Sequence, residues 1–158
     1  MGGVAYMKNL KISIGSDHKG FDHKQVIIKY LEEKGCQVFD FGPSSTESVD
    51  YPDFAKGVCH AVQNKVADFG ILICYTGIGM SIVANKYKGI RGALVGSVEN
   101  ATLTRNHNNS NVLCMGAKDT NIELALQIVE VFLNENFEGG RHQGRVDKIC
   151  EVEVNEER

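Results

Sequence analysis

Short apolar runs alternate with longer segments of helical periodicity along the chain. Short runs of residues that favour strands predict five strands, at Lys11–Gly15, Gln37–Phe41, Gly70–Cys74, Arg91–Val95 and Val112–Met115. Apolar residues recur at helical spacing in Gly20–Glu33, Tyr51–Asn64, Gly79–Lys86, Glu99–Thr104 and Asn121–Asn134. The pattern therefore predicts a series of βα units.

The strand Gly70–Cys74 is almost entirely apolar, as expected of a central parallel strand that helices cover on both faces. Right-handed βαβ crossovers then predict a three-layer α/β/α sandwich with a five-stranded parallel sheet, doubly wound and Rossmann-like. We expect one domain over residues 8–158, preceded by an extension at residues 1–7. Ligands of such folds bind at the carboxyl ends of the strands.

Two helix starts carry local signals. Asp50 precedes Tyr51 and Pro52, with the proline in the first turn, and Thr120 with Glu123 predicts a capping box. The polar stretch from Pro43 to Ser48 predicts a surface loop.

Composition excludes several classes of protein. A formal net charge of -3 over 158 residues gives no reason to expect a nucleic-acid or membrane partner. The five cysteines are scattered and form no C-x-x-C pair, so neither a disulfide framework nor a zinc site is predicted, and a reducing cytoplasm is favoured. No apolar run approaches the roughly 20 residues that cross a bilayer.

The sharpest chemical feature is the segment Cys74–Gly79, which leads from a buried strand through glycines into a helix. Backbone N–H groups of such a turn can hold an anion and favour a thiolate at Cys74. The alternative is a buried structural cysteine before a tight turn. A dinucleotide fingerprint is disfavoured because Ile82 replaces its third glycine and the motif follows the third strand rather than the first.

Asp17 and His18 follow the first predicted strand. Asp17 alone could be a helix N-cap. If the first and third strands are neighbours, however, Asp17 and His18 face Cys74 across one crevice, and a proton-transfer site becomes plausible.

Two further polar segments lie near the C-terminus. His107 falls in the asparagine-rich stretch Thr104–Asn111, where it is either a solvated turn residue or a titratable group suited to opening a sugar ring. Arg141 and Arg145 stand four residues apart at an apparent helix start, so they share one face. Such a pair suits a phosphate, although a solvated basic turn would look the same.

Several motifs, in order, resemble the ribose-5-phosphate isomerase B family, which includes galactose-6-phosphate isomerase subunits. The resemblance covers about Lys8 to Glu151. The matching segments are Gly15–His18, Asp50–Pro52, Cys74–Gly79, Ala84–Lys86, Arg105–Asn108 and Glu138–His142.

The resemblance implies interconversion of ribose 5-phosphate and ribulose 5-phosphate through an enediolate, without metal or organic cofactor. It implies that Cys74 is the base, that Thr76 with the amides of Gly77 to Gly79 stabilises the oxyanion, and that His107, aided by Asp17, opens the sugar ring. It further implies a homodimer with shared active sites, or a tetramer. The substrate-binding residues that it implies are Asp17, His18, Tyr75, Thr76, Gly77, Ile78, Gly79, Asn108, Lys118, Arg141 and Arg145.

Two positions depart from the family pattern. Tyr75 replaces a glycine, which strains the loop if that position needs a positive φ. Lys118 replaces a phosphate-binding arginine, which keeps the charge but loses the bidentate geometry. A six-carbon sugar phosphate (allose or galactose 6-phosphate) and a non-catalytic sugar-phosphate-binding regulator are the alternatives.

Overall fold

The computed structural model describes residues 7–156 and contains one sheet of five parallel strands in the spatial order β2-β1-β3-β5-β4. The strands are β1 (Lys11–Ser16), β2 (Gln37–Asp40), β3 (Phe69–Cys74), β4 (Gly92–Leu94) and β5 (Val112–Gly116). The helices are α1 (Phe21–Glu33), α2 (Tyr51–Gln63), α3 (Ile78–Ala84), α4 (Val98–Asn108), α5 (Ile122–Asn134) and α6 (Arg141–Asn155).

The central strand β3 shows why the fold has three layers. Ile71 and Ile73 pack into one apolar cluster with residues of α1 and α5, whereas Leu72 and Cys74 pack into a second with residues of α2 and α3. Successive side chains of a strand point to opposite faces, so a strand that is covered on both faces is apolar throughout. The predicted α/β/α architecture is confirmed.

β1 and β3 are neighbours in the sheet, but the helices that follow them cover opposite faces. The backbone N–H of Asp17, just after β1, donates to the carbonyl of Ile73 at 3.1 Å. A crevice opens where connections diverge in this way. The condition for bringing Asp17 and His18 beside Cys74 is therefore met.

The largest boundary error concerns α4, which runs to Asn108 rather than ending at Thr104. The buried face of its last turn is polar, so hydrophobic periodicity could not reveal it. The hydroxyls of Thr104 and Ser110 are hydrogen-bonded at 2.5 Å, and Arg105 donates to the Ser110 carbonyl at 2.6 Å. Asn109 ends the helix at φ 48°. His107 is thus a helical residue, and its interpretation as a turn residue was wrong.

The predicted capping box at Thr120 was also wrong by one residue. The N-cap of α5 is Asn121, whose side chain accepts a hydrogen bond from the Leu124 N–H at 2.9 Å. Thr120 is buried instead, and its carbonyl contacts the ring of His23 at 2.6 Å. The start of α2 after Asp50 is as predicted, although the Asp50 side chain makes no capping bond.

Met7, the last residue of the predicted extension, is fully buried, and its carbonyl accepts a hydrogen bond from the thiol of Cys36. The rest of that extension falls on residues 1–6, outside the described part of the chain, and remains a prediction. None of the helices between residues 7 and 156 is both long and apolar enough to cross a membrane.

Candidate functional site

A cleft of about 540 Å³ lies at the carboxyl ends of β1 and β3. It is the crevice predicted by the strand order. Of the predicted site residues it brings together Asp17, His18, Cys74, Tyr75, Thr76, Ile78 and Gly79.

Cys74 ends β3 at the floor of this cleft and is 4% exposed. Its sulfur accepts a hydrogen bond from the Gly77 N–H at 3.1 Å, and its carbonyl accepts one from Ala117 at 2.9 Å. A backbone N–H directed at sulfur stabilises the thiolate more than the thiol. Cys74 is therefore buried, as its structural interpretation required, and its side chain also lines the cleft.

The backbone amides of the loop after Cys74 have hydrogen-bond acceptors that the sequence did not predict. The Gly77 N–H contacts the Cys74 sulfur, and the Ile78 N–H donates to the Thr76 hydroxyl oxygen at 3.2 Å. The Thr76 hydroxyl thereby keeps its own hydrogen for donation into the cleft. The Gly79 N–H, like that of Ile78, lies in the first turn of α3, where N–H groups have no acceptor within the helix.

Gly77 has φ +78°, and an added Cβ would lie 2.6 Å from Leu94 and 2.7 Å from the Met115 backbone. We expect Gly77→Ala to lower the free energy of unfolding by about 1–3 kcal/mol or more, because it combines backbone strain with a steric clash. Gly89→Ala is the matched control, since Gly89 has the same φ with no atom within 4 Å of an added Cβ. Urea denaturation should show a larger loss for Gly77→Ala, and equal losses would contradict the clash.

Asp17 and His18 are held by backbone contacts. One carboxylate oxygen of Asp17 accepts hydrogen bonds from the N–H groups of Lys19 at 2.9 Å and Gly20 at 3.0 Å. The N-cap of α1 is Gly20, so the N-cap alternative for Asp17 was wrong. Nδ1 of His18 accepts from the Val49 N–H at 3.2 Å, so a neutral His18 carries its proton on Nε2.

The two departures from the family pattern leave the cleft intact. Tyr75 does not have a positive φ, so its replacement of glycine strains no backbone. Its ring is about half exposed, and the ammonium of Lys19 lies 5.7 Å from the ring centroid. Lys118 is exposed and contacts Asp119 at 3.2 Å, a surface pair weak enough to be exchanged for a bound anion.

His107 belongs to a second group of residues, near the C-terminal end of α4. Its ring stacks on that of His142 in α6, with centroids 4.1 Å apart and planes 12° apart. Nε2 of His142 lies 3.5 Å from a carboxylate oxygen of Glu138. Arg141 and Arg145 are exposed in the first turns of the same helix. We call His107, Glu138 and His142 the histidine cluster.

Asn106 fixes the position of this cluster. Its side-chain NH₂ group donates hydrogen bonds to the Glu135 carboxylate at 3.0 Å and to the Asn136 carbonyl at 2.8 Å. Its backbone carbonyl accepts a hydrogen bond from the Glu138 N–H at 3.0 Å. These bonds tie the segment before α6 to the end of α4. Asn106 was missed because the sequence around it predicted a loop.

Within residues 7–156 the two groups do not form a single cleft. His107, Asn108, Arg141 and Arg145 are all absent from the lining of the Cys74 cleft. Asn108 instead lines a groove of about 810 Å³ together with apolar residues of α6. One chain therefore brings the proposed base and the proposed ring-opening acid to different surfaces.

Sequence reasoning overlooked several residues of both groups. The Cys74 cleft is also lined by Lys19, Tyr51 and Ile82. Of these, only Tyr51 could have been noticed in the sequence, because it is the first residue of the helix predicted after Asp50. Glu138 and His142 stand four residues apart, a spacing that brings side chains together, and this could have indicated their contact.

The chain matches the family model described as Ribose/Galactose Isomerase over residues 12–149. Ribose-5-phosphate isomerase B of Escherichia coli strain K12 is 46% identical over 143 residues, which cover 90% of this chain and 96% of that protein.

Two solved structures share the fold along nearly their whole length. Clostridium thermocellum ribose-5-phosphate isomerase B is 46% identical, with a TM-score of 0.92 and coverage of 94% of this chain and 100% of that one. The Mycoplasma genitalium enzyme with bound ribulose-5-phosphate is 45% identical, with a TM-score of 0.88 and coverage of 93% and 98%. Together with the strand-end cleft around Cys74, these similarities show that the chain belongs to the ribose/galactose isomerase family.

Proposed function

We propose that this protein interconverts ribose 5-phosphate and ribulose 5-phosphate through an enediolate, with Cys74 as the base. The observation that carries the proposal is Cys74, which lines the same cleft as Thr76 and whose sulfur accepts a hydrogen bond from the Gly77 N–H. The Escherichia coli relative that is 46% identical to this chain is named ribose-5-phosphate isomerase B.

Cys74 removes the proton from C2 of the open-chain sugar and returns a proton to C1. The Gly77 N–H offsets the negative charge of the thiolate before and after the transfer. Negative charge also develops on the carbonyl oxygen of the substrate. The Thr76 hydroxyl, whose oxygen already accepts from Ile78, donates to that oxygen, with the first-turn amide of Gly79 as a second donor.

Ring opening requires an acid at the ring oxygen and a base at the anomeric hydroxyl. His107 is the acid, because an imidazolium can donate a proton to the ring oxygen and the imidazole that is left can take it back. Asp17 supports this step from the Cys74 side, with one oxygen fixed by the Lys19 and Gly20 amides and the other available to substrate.

Arg141 and Arg145 bind the 5-phosphate from successive turns of α6. His18 donates from Nε2, while Asn108 and Lys118 add contacts to the sugar and the phosphate. Tyr75 and Ile78 form exposed walls of the cleft.

A complete site needs two copies of the chain, so we place the active sites at the interface of a homodimer. The Cys74 cleft carries exposed apolar side chains at Ile78 and Ile82, and α6 carries Ile149 and Val152. Burying such side chains supplies the free energy of association. The C-terminal helix would then bring Arg141 and Arg145 to the partner's cleft, and a tetramer would be a pair of such dimers.

Five free cysteines suit a reducing compartment, so we place the protein in the cytoplasm.

The substrate assignment is tested by incubating the purified protein with ribose 5-phosphate and with allose 6-phosphate, each with and without EDTA. We expect ketose formation from ribose 5-phosphate, at a kcat/KM above that for the six-carbon sugar and insensitive to the chelator. Faster turnover of allose 6-phosphate would overturn the five-carbon assignment. Tight binding of both sugars without turnover would favour the regulator alternative.

Replacing Arg141 or Arg145 with glutamine is expected to raise KM more than it lowers kcat, because each loses a charged hydrogen bond to the phosphate. The loss corresponds to roughly 1.5–3 kcal/mol, or about tenfold to a hundredfold in KM. Lys148→Gln, which removes another exposed cation of α6, is the matched control. Unchanged affinity in the double arginine variant, measured by phosphate-ester titration, would refute the role.

A further inference from the structure

Arg105 is a residue to which the proposed mechanism gives no role. It is 7% exposed and lies in the last turn of α4, two residues before His107. Its guanidinium carbon lies 4.7 Å from the ring centroid of Phe69 and 5.6 Å from that of Phe132. Both rings belong to the apolar cluster on the α5 side of the sheet, so a charged side chain packs against the core.

The positive charge of Arg105 makes no salt bridge with any residue that the structure describes. Burial, followed by the neighbouring Arg91, lowers its pKa, and no carboxylate opposes this shift. The guanidinium still stays protonated, because the pKa of arginine starts above about 12. Removing an unpaired charge from water is costly, and an apolar side chain could contact both rings without this cost. Packing alone therefore does not account for an arginine here.

The hydrogen bonds of this guanidinium go to the two residues that follow α4. Its Nη1 donates to the Ser110 carbonyl at 2.6 Å and to the side-chain oxygen of Asn109 at 3.1 Å. Arg91 donates from its Nε to the backbone carbonyl of Asn109 at 3.0 Å. Asn109 has the left-handed conformation that ends the helix. Two guanidinium groups thus hold the chain at the end of α4, where the helix dipole is negative.

This anchoring acts on the turn that carries His107 and Asn108. The last carbonyls of a helix have no donor within the helix, so an end without other partners frays. The ring of His107 must also keep its place on His142, with centroids 4.1 Å apart. The bonds of Arg105 oppose fraying at this turn.

We propose that Arg105 is a positioning residue, which fixes the last turn of α4 so that His107 reaches the ring oxygen of the sugar. Arg105 itself does not touch the substrate. The inference rests on the proposed function, because it concerns ring opening by His107. A misplacement of about 1 Å can cost about a hundredfold in rate, so the ring step should be sensitive to Arg105. Proton transfer at Cys74 should not be, since Cys74 lies in a cleft that neither Arg105 nor His107 lines.

Ribulose 5-phosphate in deuterium oxide separates these two steps. Its 5-hydroxyl is esterified and cannot close a furanose ring, so the sugar reaches Cys74 in its open form. Cys74 removes a proton from C1, the thiol exchanges with solvent, and a deuteron returns to C1 without any need for His107. Release of ribose 5-phosphate as a closed ring also requires the ring step. The ratio of C1 exchange to net conversion, measured by NMR, therefore reports the ring step.

Arg105→Met keeps a long side chain against the rings but removes the charge and its donors. We expect net conversion to fall about tenfold to a hundredfold while C1 exchange changes little, so that the ratio rises as in His107→Ala. Arg105→Lys keeps the charge but not the fork of donors, and its ratio should lie between those of the wild type and Arg105→Met. Lys24→Met is the matched control, because it removes a fully buried cation of α1, paired with Asp40 at 2.9 Å. It should lower stability and leave the ratio unchanged.

A second measurement does not depend on activity. The stacked His142 ring shifts the NMR signal of the His107 Cε1 proton, and this ring-current shift should diminish in Arg105→Met but persist in Lys24→Met. A wild-type ratio in Arg105→Met, parallel losses of exchange and conversion, or an unchanged His107 signal would each overturn the proposal. If the wild type neither exchanged nor isomerised the sugar, the proposed function would fail. The His107 signal would then still decide whether Arg105 fixes this turn.

Discussion

Cys74→Ala is expected to abolish turnover of ribose 5-phosphate while the protein remains folded. The variant removes the sulfur that accepts the Gly77 N–H and, in the proposed mechanism, the proton from C2. General-base catalysis contributes about 10²–10⁴-fold, so kcat should fall by at least this factor. Binding of a phosphate ester should change little, because Arg141 and Arg145, the proposed phosphate ligands of α6, remain in place and the Cys74 sulfur is not a phosphate ligand.

Cys114→Ala is the matched control for Cys74→Ala. Cys114 is fully buried in the same apolar cluster, and burial raises its pKa, so it remains a thiol. Both variants remove a buried sulfur at a cost of about 1 kcal/mol or slightly more, which urea denaturation would measure. Only Cys74→Ala should lose activity. Wild-type rates in Cys74→Ala, or equal losses in both variants, would remove Cys74 from the mechanism.

A mixture of Cys74→Ala with His107→Ala is expected to regain activity that neither variant has alone. In a mixed dimer with shared sites, one site carries both lesions and the other carries none. Equal amounts that reassociate at random give about half mixed dimers, so about a quarter of all sites recover full function. The measurement is kcat per site after joint unfolding and refolding, with mixed dimers confirmed by mass spectrometry.

Each variant refolded alone provides the control for this experiment. Recovery should rise with the fraction of mixed dimers and vanish when either variant is in large excess. If mixed dimers form and remain inactive, Cys74 and His107 act within one chain's site, or His107 is not the acid.

The fold was largely predictable because its strands are marked by composition. β3 is covered on both faces and is therefore apolar throughout, and β5 follows the same rule. The end of α4 was not predictable, because Thr104 and Arg105 are polar residues that are buried with hydrogen bonds to Ser110. The guanidinium carbon of Arg105 also lies 4.7 Å from the centroid of the Phe69 ring, a contact that the local sequence does not reveal.

The candidate site was predictable where its residues are close in sequence. The segment from Cys74 to Gly79 is one turn, so its chemistry could be inferred from residue types alone. The contact of His107 with His142 depends on how α4 packs against α6, and the direction of the Gly77 amide depends on a left-handed backbone. Such features follow from tertiary geometry, for which sequence spacing carries little information.

The central claim is that an enediolate forms when Cys74 removes the C2 proton, and isomerisation in deuterium oxide tests it most directly. A proton held by a thiol exchanges with solvent, whereas a hydride that moves directly between carbons does not. We predict that ribulose 5-phosphate made by the wild type carries solvent deuterium at C1, detected by NMR, and that Cys74→Ala shows no incorporation above background. Product formed without solvent deuterium, or incorporation by Cys74→Ala at the wild-type rate, would contradict the account.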